Sequence, residues 1–335
     1  MFPPSLGEQR HTESCFRDYP HLLRHGWSAR QDRCRPTCAI PPPAALSDDH
    51  LIAALPTTRL LLACPDQPGL IARVSGFLAD AGLNIVDADQ HSTAEGRFFM
   101  RMVFDPVPPQ EREALQARFA AELAEPFAME HRFAESDQRK RVAIMVSRED
   151  HCLSDLLWRW RSGELECELT AVISNHPDHA DQVAAVGLPF HHVPVEAGAK
   201  EVAEREIFEL LDDELDLLVL ARYMQILSPA FLRELAAPAI NIHHSFLPAF
   251  VGADPYRKAH ERGVKLIGAT GHYVTMNLDE GPIIEQEVAR VSHRDSIEDM
   301  IRKGRDLERT VLGRAVRLHL CHRVLTYGNK TVVFD

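Results

Sequence analysis

The residues best suited to chemistry lie in the second half of the chain. NIHHSFLPAF (241–250) follows an apolar run and delivers Asn241 and His243 at its end. An amide and an imidazole so placed can both donate to a carbonyl oxygen and stabilise the oxyanion that forms when the carbonyl is attacked. The same letters would also begin an ordinary surface loop at His243 and His244. Downstream, Asp279-Glu280-Gly281-Pro282 reads as a sharp turn within GATGHYVTMNLDEGPII (268–284). A carboxylate held there can act as general base toward water or pass a proton to a leaving amine. Aspartate is also simply common in turns. The third segment, ARYMQILSP (221–229), puts Met224, Ile226 and Leu227 where a loop should be polar. They could wall a pocket for a flat heterocycle or cap the core beneath a helix N-terminus.

These segments need a frame. Apolar runs at 141–147, 167–175, 191–195, 215–221 and 239–244 read as strands, with helices at 153–163, at 199–213 and from Ser228-Pro229. The run LDLLVLA (215–221) is continuously apolar, as in a strand covered on both faces. Alternation of this kind predicts an α/β domain with a mostly parallel, Rossmann-like sheet, and such sheets collect their sites at the carboxyl ends of strands. Ahead of it, strands at 59–64, 84–92, 97–105 and 127–135 and helices at 71–82 and 111–125 follow in the ferredoxin-like order strand, helix, strand, strand, helix, strand. Residues 136–141 read as a linker. A long helix is expected over 296–324, then a turn at Gly328-Asn329 and a strand. Residues 1–57 hold no period and read as a disordered extension, giving domains at 58–136 and 137–335.

Bulk properties narrow the function classes. A net charge of −12 argues against nucleic acid or an anionic membrane as the main partner. No apolar run approaches the ~18 residues of a membrane span. Cys15, Cys34, Cys38, Cys64, Cys152, Cys167 and Cys321 are odd in number and irregular in spacing, which opposes a disulfide framework. A reducing cytoplasm is expected. Cys34 and Cys38 with Cys15 and His25 lack the spacing of a zinc ribbon or finger, so no metal is expected.

With these residues in view, the second domain resembles the formyltetrahydrofolate-dependent formyl transfer family. Asn241-x-His243, then Gly268-x-Thr270-x-His272, then Asp279 followed by Gly281-Pro282 match three motifs in order. The resemblance implies catalytic roles for Asn241, His243 and Asp279, with His272 supporting Asp279 or the folate. It implies substrate binding by Met224, Gln225, Ile226, Leu227, His272 and Thr275. Gly271 departs from the Ala or Val expected there and should leave more room in the strand. The first domain resembles an ACT domain through Asp66, Pro68, Gly69 and Leu70, then Gly82, Asn84 and Ile85. That implies either a regulatory amino acid near Asp66, Gly69, Leu70, Asn84 and Ile85, with glycine or methionine suited to one-carbon metabolism, or a structural module. ACT domains pair, so a homo-oligomer is implied.

Within the family the arrangement is similar to the deformylase branch. An ACT domain precedes the formyl transfer domain. The loop SREDHCLSD (147–155) has no Gly, and Glu149 and Asp150 would repel a substrate phosphate. His244-Ser245-Phe246-Leu247 also looks like the deformylase. The resemblance implies hydrolysis of 10-formyltetrahydrofolate to tetrahydrofolate and formate, without a cofactor, supplying formate for purine synthesis and balancing the one-carbon folate pool. The alternatives are a formyltransferase with another amine acceptor and a folate or amino-acid sensor without turnover.

Overall fold

A computed structural model of the chain describes residues 56–211, 214–248 and 255–334. The Cys34–Cys38 pair and nearly all of the expected extension lie outside them.

The first sheet is antiparallel. β1 (Thr58–Pro65) leads through α1 (Leu70–Asp80) to β2 (Ile85–Ser92) and β3 (Arg97–Phe104), then through α2 (Pro109–Phe119) to β4 (Glu130–Glu135), in the order β2-β3-β1-β4. α2 runs on into a wide π turn, Ala120–Ala124. Side chains alternate in strands, so Leu60, Leu62 and Cys64 of β1, with Met100, Met102 and Phe104 of β3, face the helices. Leu70, Val74, Phe77 and Leu78 of α1 pack onto them, each such side chain contributing ~1.5–3 kcal/mol of burial.

The second sheet has seven strands. β5 (Lys140–Val146), α3 (His151–Arg161), β6 (Cys167–Ser174), α4 (Ala180–Ala184), β7 (Phe190–His192), α5 (Lys200–Leu210), β8 (Leu217–Ala221), α6 (Pro229–Glu234) and β9 (Ala239–His243) alternate as expected. α7 (Pro255–Arg262), β10 (Leu266–Tyr273), β11 (Ile283–Arg290) and α8 (Ile297–Leu320) follow. The strand order is β11-β10-β9-β8-β5-β6-β7. β5 to β9 pair in parallel, and β10 and β11 close one side antiparallel. The chain steps outward from β5 to β7, then returns to the other flank of β5 as β8. That reversal opens a crevice at the carboxyl ends of the central strands.

Three expectations are corrected. The long helix stops at Leu320 rather than continuing to 324, and Val324–Tyr327 is a strand, β12, paired with β13 (Lys330–Val333). The stop is made by His322 at φ 53, which lets the Arg323 amide reach the Leu318 carbonyl at 2.9 Å. This is a left-handed helix stop built without the usual glycine. Second, the sequence does not announce β11, because IIEQEVAR carries three polar residues in a row and lacks a strand's alternation. Third, Gly271 leaves no spare room. A Cβ there would stand 3.0 Å from Ala315 Cβ and 3.3 Å from Val311 Cγ1, so α8 has moved into the space. Among the described residues no helix is long and apolar enough to cross a membrane.

Candidate active site

The three chemistry-bearing segments meet at the reversal point. β9 ends in Asn241 and His243, and β8 ends where the 222–227 loop begins. β10 lies antiparallel to β9, so His272 stands directly across from Asn241 and Thr270 from His243. Asn241 Nδ2 lies 3.3 Å from His272 Nε2. The other ring nitrogen, Nδ1, lies 2.9 Å from the Tyr273 carbonyl oxygen and can only donate to it. Burial pushes His272 below the ordinary histidine range, outweighing that bond and the nearby Asp279 charge. The neutral ring then carries its proton on Nδ1, and Nε2 accepts from the Asn241 amide. This leaves the second amide hydrogen of Asn241 for a ligand.

His243 is 6% exposed, so it is not the start of a surface loop. Its Nδ1 lies 3.3 Å from Asp279 Oδ1, and His272 Nε2 lies 3.9 Å from the same oxygen. His243 Nε2 is buried with no protein partner. The hydrogen bond from His243, reinforced by the surrounding imidazoles, outweighs burial and holds the Asp279 carboxyl below its usual range. Asp279 is therefore ionised at neutral pH.

The backbone that aims Asp279 is special. Asp279 has φ 57, a left-handed conformation that aspartate tolerates better than most residues. Two positions on, a Cβ at Gly281 would collide with the Tyr273 carbonyl oxygen, and the Tyr273 amide donates to the Pro282 carbonyl at 2.9 Å. The turn is thus stitched to the end of β10, and only glycine fits the seam. On β10 the buried Thr270 hydroxyl donates to the Ser245 carbonyl at 2.9 Å and accepts from the Leu247 amide at 3.1 Å. That fixes the chain leaving His243 and His244.

Beside these groups lies a cavity of about 350 Å³. Every substrate-binding residue expected from the sequence lines it: Met224, Gln225, Ile226, Leu227, His272 and Thr275, with Asn241, His243 and Asp279 at one end. The two readings of the 222–227 loop both hold in part. Leu227 is buried in the core, whereas Met224 and Ile226 are 55% and 59% exposed along the cavity. Met276 and Leu278 on the facing loop add apolar lining that sequence reasoning missed.

Other residues it missed support the site from behind. The Ser147 hydroxyl accepts from the Met224 amide at 2.9 Å and donates to Asn175 Oδ1 at 2.7 Å, anchoring the pocket loop to β5. Glu308 of α8 is 1% exposed and is held by His151 Nε2 at 2.8 Å, the Tyr256 hydroxyl at 2.8 Å and Arg222 Nε at 3.3 Å. Burial raises its pKa, but the His151 bond and the Arg222 charge outweigh that and keep it ionised. His244 stacks on His243, with ring centroids 5.2 Å apart. Burial, with the charges of Arg222 and His243, pushes His244 down to about 4, so it is neutral. The signal available in the sequence was a lone acidic residue on the apolar face of the long helix.

The residues singled out in the first domain are not gathered in one place. Gly69, at φ 88, and the buried Leu70 open α1, with Asp66 just before them, whereas Asn84 and Ile85 follow its far end. The eleven-residue helix that Leu70 begins lies between the groups, a span of ~16 Å.

Comparison with known proteins agrees with this architecture. Residues 140–316 match the formyl transferase family and residues 58–120 the ACT domain family. A formyltetrahydrofolate deformylase of Mycobacterium bovis is 56% identical over 279 residues, covering 82% of this chain and 90% of the relative. One from Synechocystis is 52% identical, covering 83% and 98%. The crystal structure of a formyltetrahydrofolate deformylase from Pseudomonas syringae superposes with a TM-score of 0.80 at 52% identity, covering 85% of this chain and 96% of that one. With both domains in order and identity sustained over most of its length, the chain belongs to the formyltetrahydrofolate deformylase family.

Proposed function

We propose that the cavity holds 10-formyltetrahydrofolate with its formyl group against Asn241, His243 and Asp279, and that water is the acceptor. The chain is a hydrolase that converts 10-formyltetrahydrofolate to tetrahydrofolate and formate. The observation that carries the assignment of roles is the convergence of two oriented donors and one ionised carboxylate at the end of an apolar cavity.

The pterin lies between the Met224–Leu227 and Met276–Leu278 loops. Asp279 Oδ1 faces the two imidazoles, and Oδ2 takes a proton from the attacking water. The water oxygen bonds to the formyl carbon, and the carbonyl electrons move onto oxygen. That oxyanion is met by the free Asn241 amide hydrogen and by the Nε2–H of His243 in its imidazolium form, the ring being held by its Nδ1–H on Asp279. Each such donor is worth ~2.7–4 kcal/mol at the transition state. The carbon–nitrogen bond then breaks, the proton passes from Asp279 to the folate nitrogen, and formate leaves. A phosphate-bearing amine acceptor is disfavoured beyond β5, where the Glu149 carboxylate, 2.6 Å from Arg305, and Glu308, paired with His151, would repel its phosphate. No step in this scheme calls for a cofactor.

In the same scheme the ACT domain is the regulatory part. It binds a small amino acid, glycine or methionine, near the Asp66–Leu70 turn, and its pairing with a second copy makes a homo-oligomer.

Formate release from 10-formyltetrahydrofolate by the purified chain, with no acceptor present, tests the function. Stoichiometric formate and tetrahydrofolate, lost in His243→Ala and Asp279→Asn, is the expected result. Tight folate binding without formate would leave the sensor, and turnover only on adding an amine would leave the transferase.

A further inference from the structure

The face of the ACT sheet that turns away from its own helices carries an unbalanced set of charges. Arg101, Leu61 and Arg132 stand side by side on β3, β1 and β4. Arg59 shares that face, two residues before Leu61. Of these, Leu61 and Arg132 line a cavity of about 490 Å³, with Glu130 beside them, and its other wall carries Tyr273, at the end of β10, and His319 of α8. Lys140, at the start of β5, approaches from behind, its Nζ 3.2 Å from His319 Nε2.

Most acidic groups nearby are already engaged. Arg101 is bonded to Asp87 at 3.0 Å and to the His322 carbonyl at 3.1 Å. Glu130 is paired with Arg97 at 2.6 Å, and Asp216 accepts from the Arg141 amide. Arg59, Arg132 and Lys140 have no carboxylate at ion-pairing distance among the described residues, and Arg59 Nε is buried without a hydrogen bond. In a chain of net charge −12 this is a local excess of cation around a partly enclosed space. Arg132 is exposed at the mouth of this space and Arg59 and Lys140 are half-buried, and an anion in the cavity would gain their attraction.

The hydrogen-bond directions sharpen the chemistry. Burial, with the Lys140 and Arg132 charges, pushes His319 down to about 3, so the ring is neutral. Lys140 can only donate to its Nε2. Nδ1 therefore carries the proton and donates to the Tyr273 hydroxyl oxygen, 2.8 Å away. The Tyr273 hydroxyl hydrogen is then free, beside the Arg132 guanidinium. A guanidinium and a hydroxyl donor on one cavity wall match a carboxylate. The cavity also shares Val274 and Thr275 with the active-site pocket, and the Tyr273 carbonyl accepts from the catalytic-side His272.

We propose that this interdomain cavity binds a carboxylate on Arg132 and the Tyr273 hydroxyl, and that its occupancy is transmitted to the active site along Tyr273–Thr275. The carboxylate belongs either to a separate small acid or to the glutamyl tail of a folate lying in the neighbouring pocket. This site is distinct from the Asp66–Leu70 turn, and its binding test does not depend on turnover.

The test is titration calorimetry of the full-length chain with malonate, beside steady-state kinetics. Malonate is expected to bind, to change kcat/KM for 10-formyltetrahydrofolate, and to bind at least ~tenfold more weakly to Arg132→Gln and to Tyr273→Phe. His243→Ala, altered only in the active site, should bind it normally. If Arg132→Gln raises KM for 10-formyltetrahydrofolate but not for 10-formyltetrahydropteroate, which lacks the glutamate, the carboxylate is the substrate's own. If KM is unchanged for both while the malonate effect is lost, it is a separate acid. Absence of malonate binding, or binding indifferent to both substitutions in variants that melt normally, overturns the proposal.

Discussion

His272 of β10 stands directly across the sheet from Asn241 of β9, and its Nε2 lies 3.3 Å from the Asn241 amide nitrogen. With Nδ1 committed to the Tyr273 carbonyl, His272 is left to accept from the amide, which under the proposed mechanism turns it toward the formyl oxygen. Asn241→Ala should lower kcat by ~10²–10³-fold, and His272→Ala by ~10–100-fold. The double variant should be no worse than Asn241→Ala alone, because the two act as one unit. Additive losses in a kcat cycle would show that His272 acts elsewhere.

Asp279→Asn keeps the side-chain shape and tolerates the same left-handed backbone. The variant should melt as the parent does and still bind folate, while kcat falls by ~10²–10⁴-fold. Near-normal formate release would remove Asp279 from the role of base.

The seam at Gly281 admits no side chain, since a Cβ would meet the Tyr273 carbonyl oxygen. Gly281→Ala should destabilise the chain by ~2 kcal/mol or more and lose most of its activity, because the turn carrying Asp279 must shift. Urea denaturation read beside kcat tests both halves of this expectation.

Glu308 is a buried anion with three partners. Glu308→Ala leaves the Arg222 charge and the Tyr256 hydroxyl without their acceptor, and breaking a buried pair of this kind costs ~3–5 kcal/mol. The melting temperature should drop sharply, and KM should rise as the 222–227 loop loosens.

Three histidines, two buried and one partly so, lead the acid response of stability. His244, His319 and His322 are pushed down to about 4, 3 and 2, first by burial and then by neighbouring positive charges. Unfolded histidine titrates near ~6.5. Between that value and the folded ones only the unfolded chain takes up protons, so stability falls as pH drops below ~6.5. Each group contributes at most ~1.4 kcal/mol per pH unit. Depressed carboxyls such as Asp279 add their loss only at lower pH, as it falls through their folded values. Urea midpoints measured from pH 7 to pH 4.5 should trace this slope, and His322→Asn should flatten it.

Much of the site was legible because its residues sit at strand ends and turns, where local letters carry meaning. Asn241, His243, Asp279 and the 224–227 loop were found from apolar runs and turn chemistry together with the family's motifs. The parallel core followed from the run at 215–221. What escaped depends on contacts between distant segments. Glu308 looks like any acidic residue on a helix until His151, Tyr256 and Arg222 are brought around it. β11 looks like a polar segment because one of its faces is exposed at the sheet edge. The end of α8 could not be read because His322 adopts a conformation usually marked by glycine.

The hairpin of β12 and β13 brings Val332 and Phe334 into one apolar cluster with Ala63 of β1 and Phe99 of β3. Chain order makes this a matter of timing. During synthesis the four-stranded sheet emerges long before the hairpin, and until then Phe99 and its neighbours lack their cover. A ribosome-bound chain ending after α8 would present that uncovered face to its surroundings, a form prone to association. The first sheet to be made is among the last parts to be finished, and its completion reports that the catalytic domain behind it has been translated through.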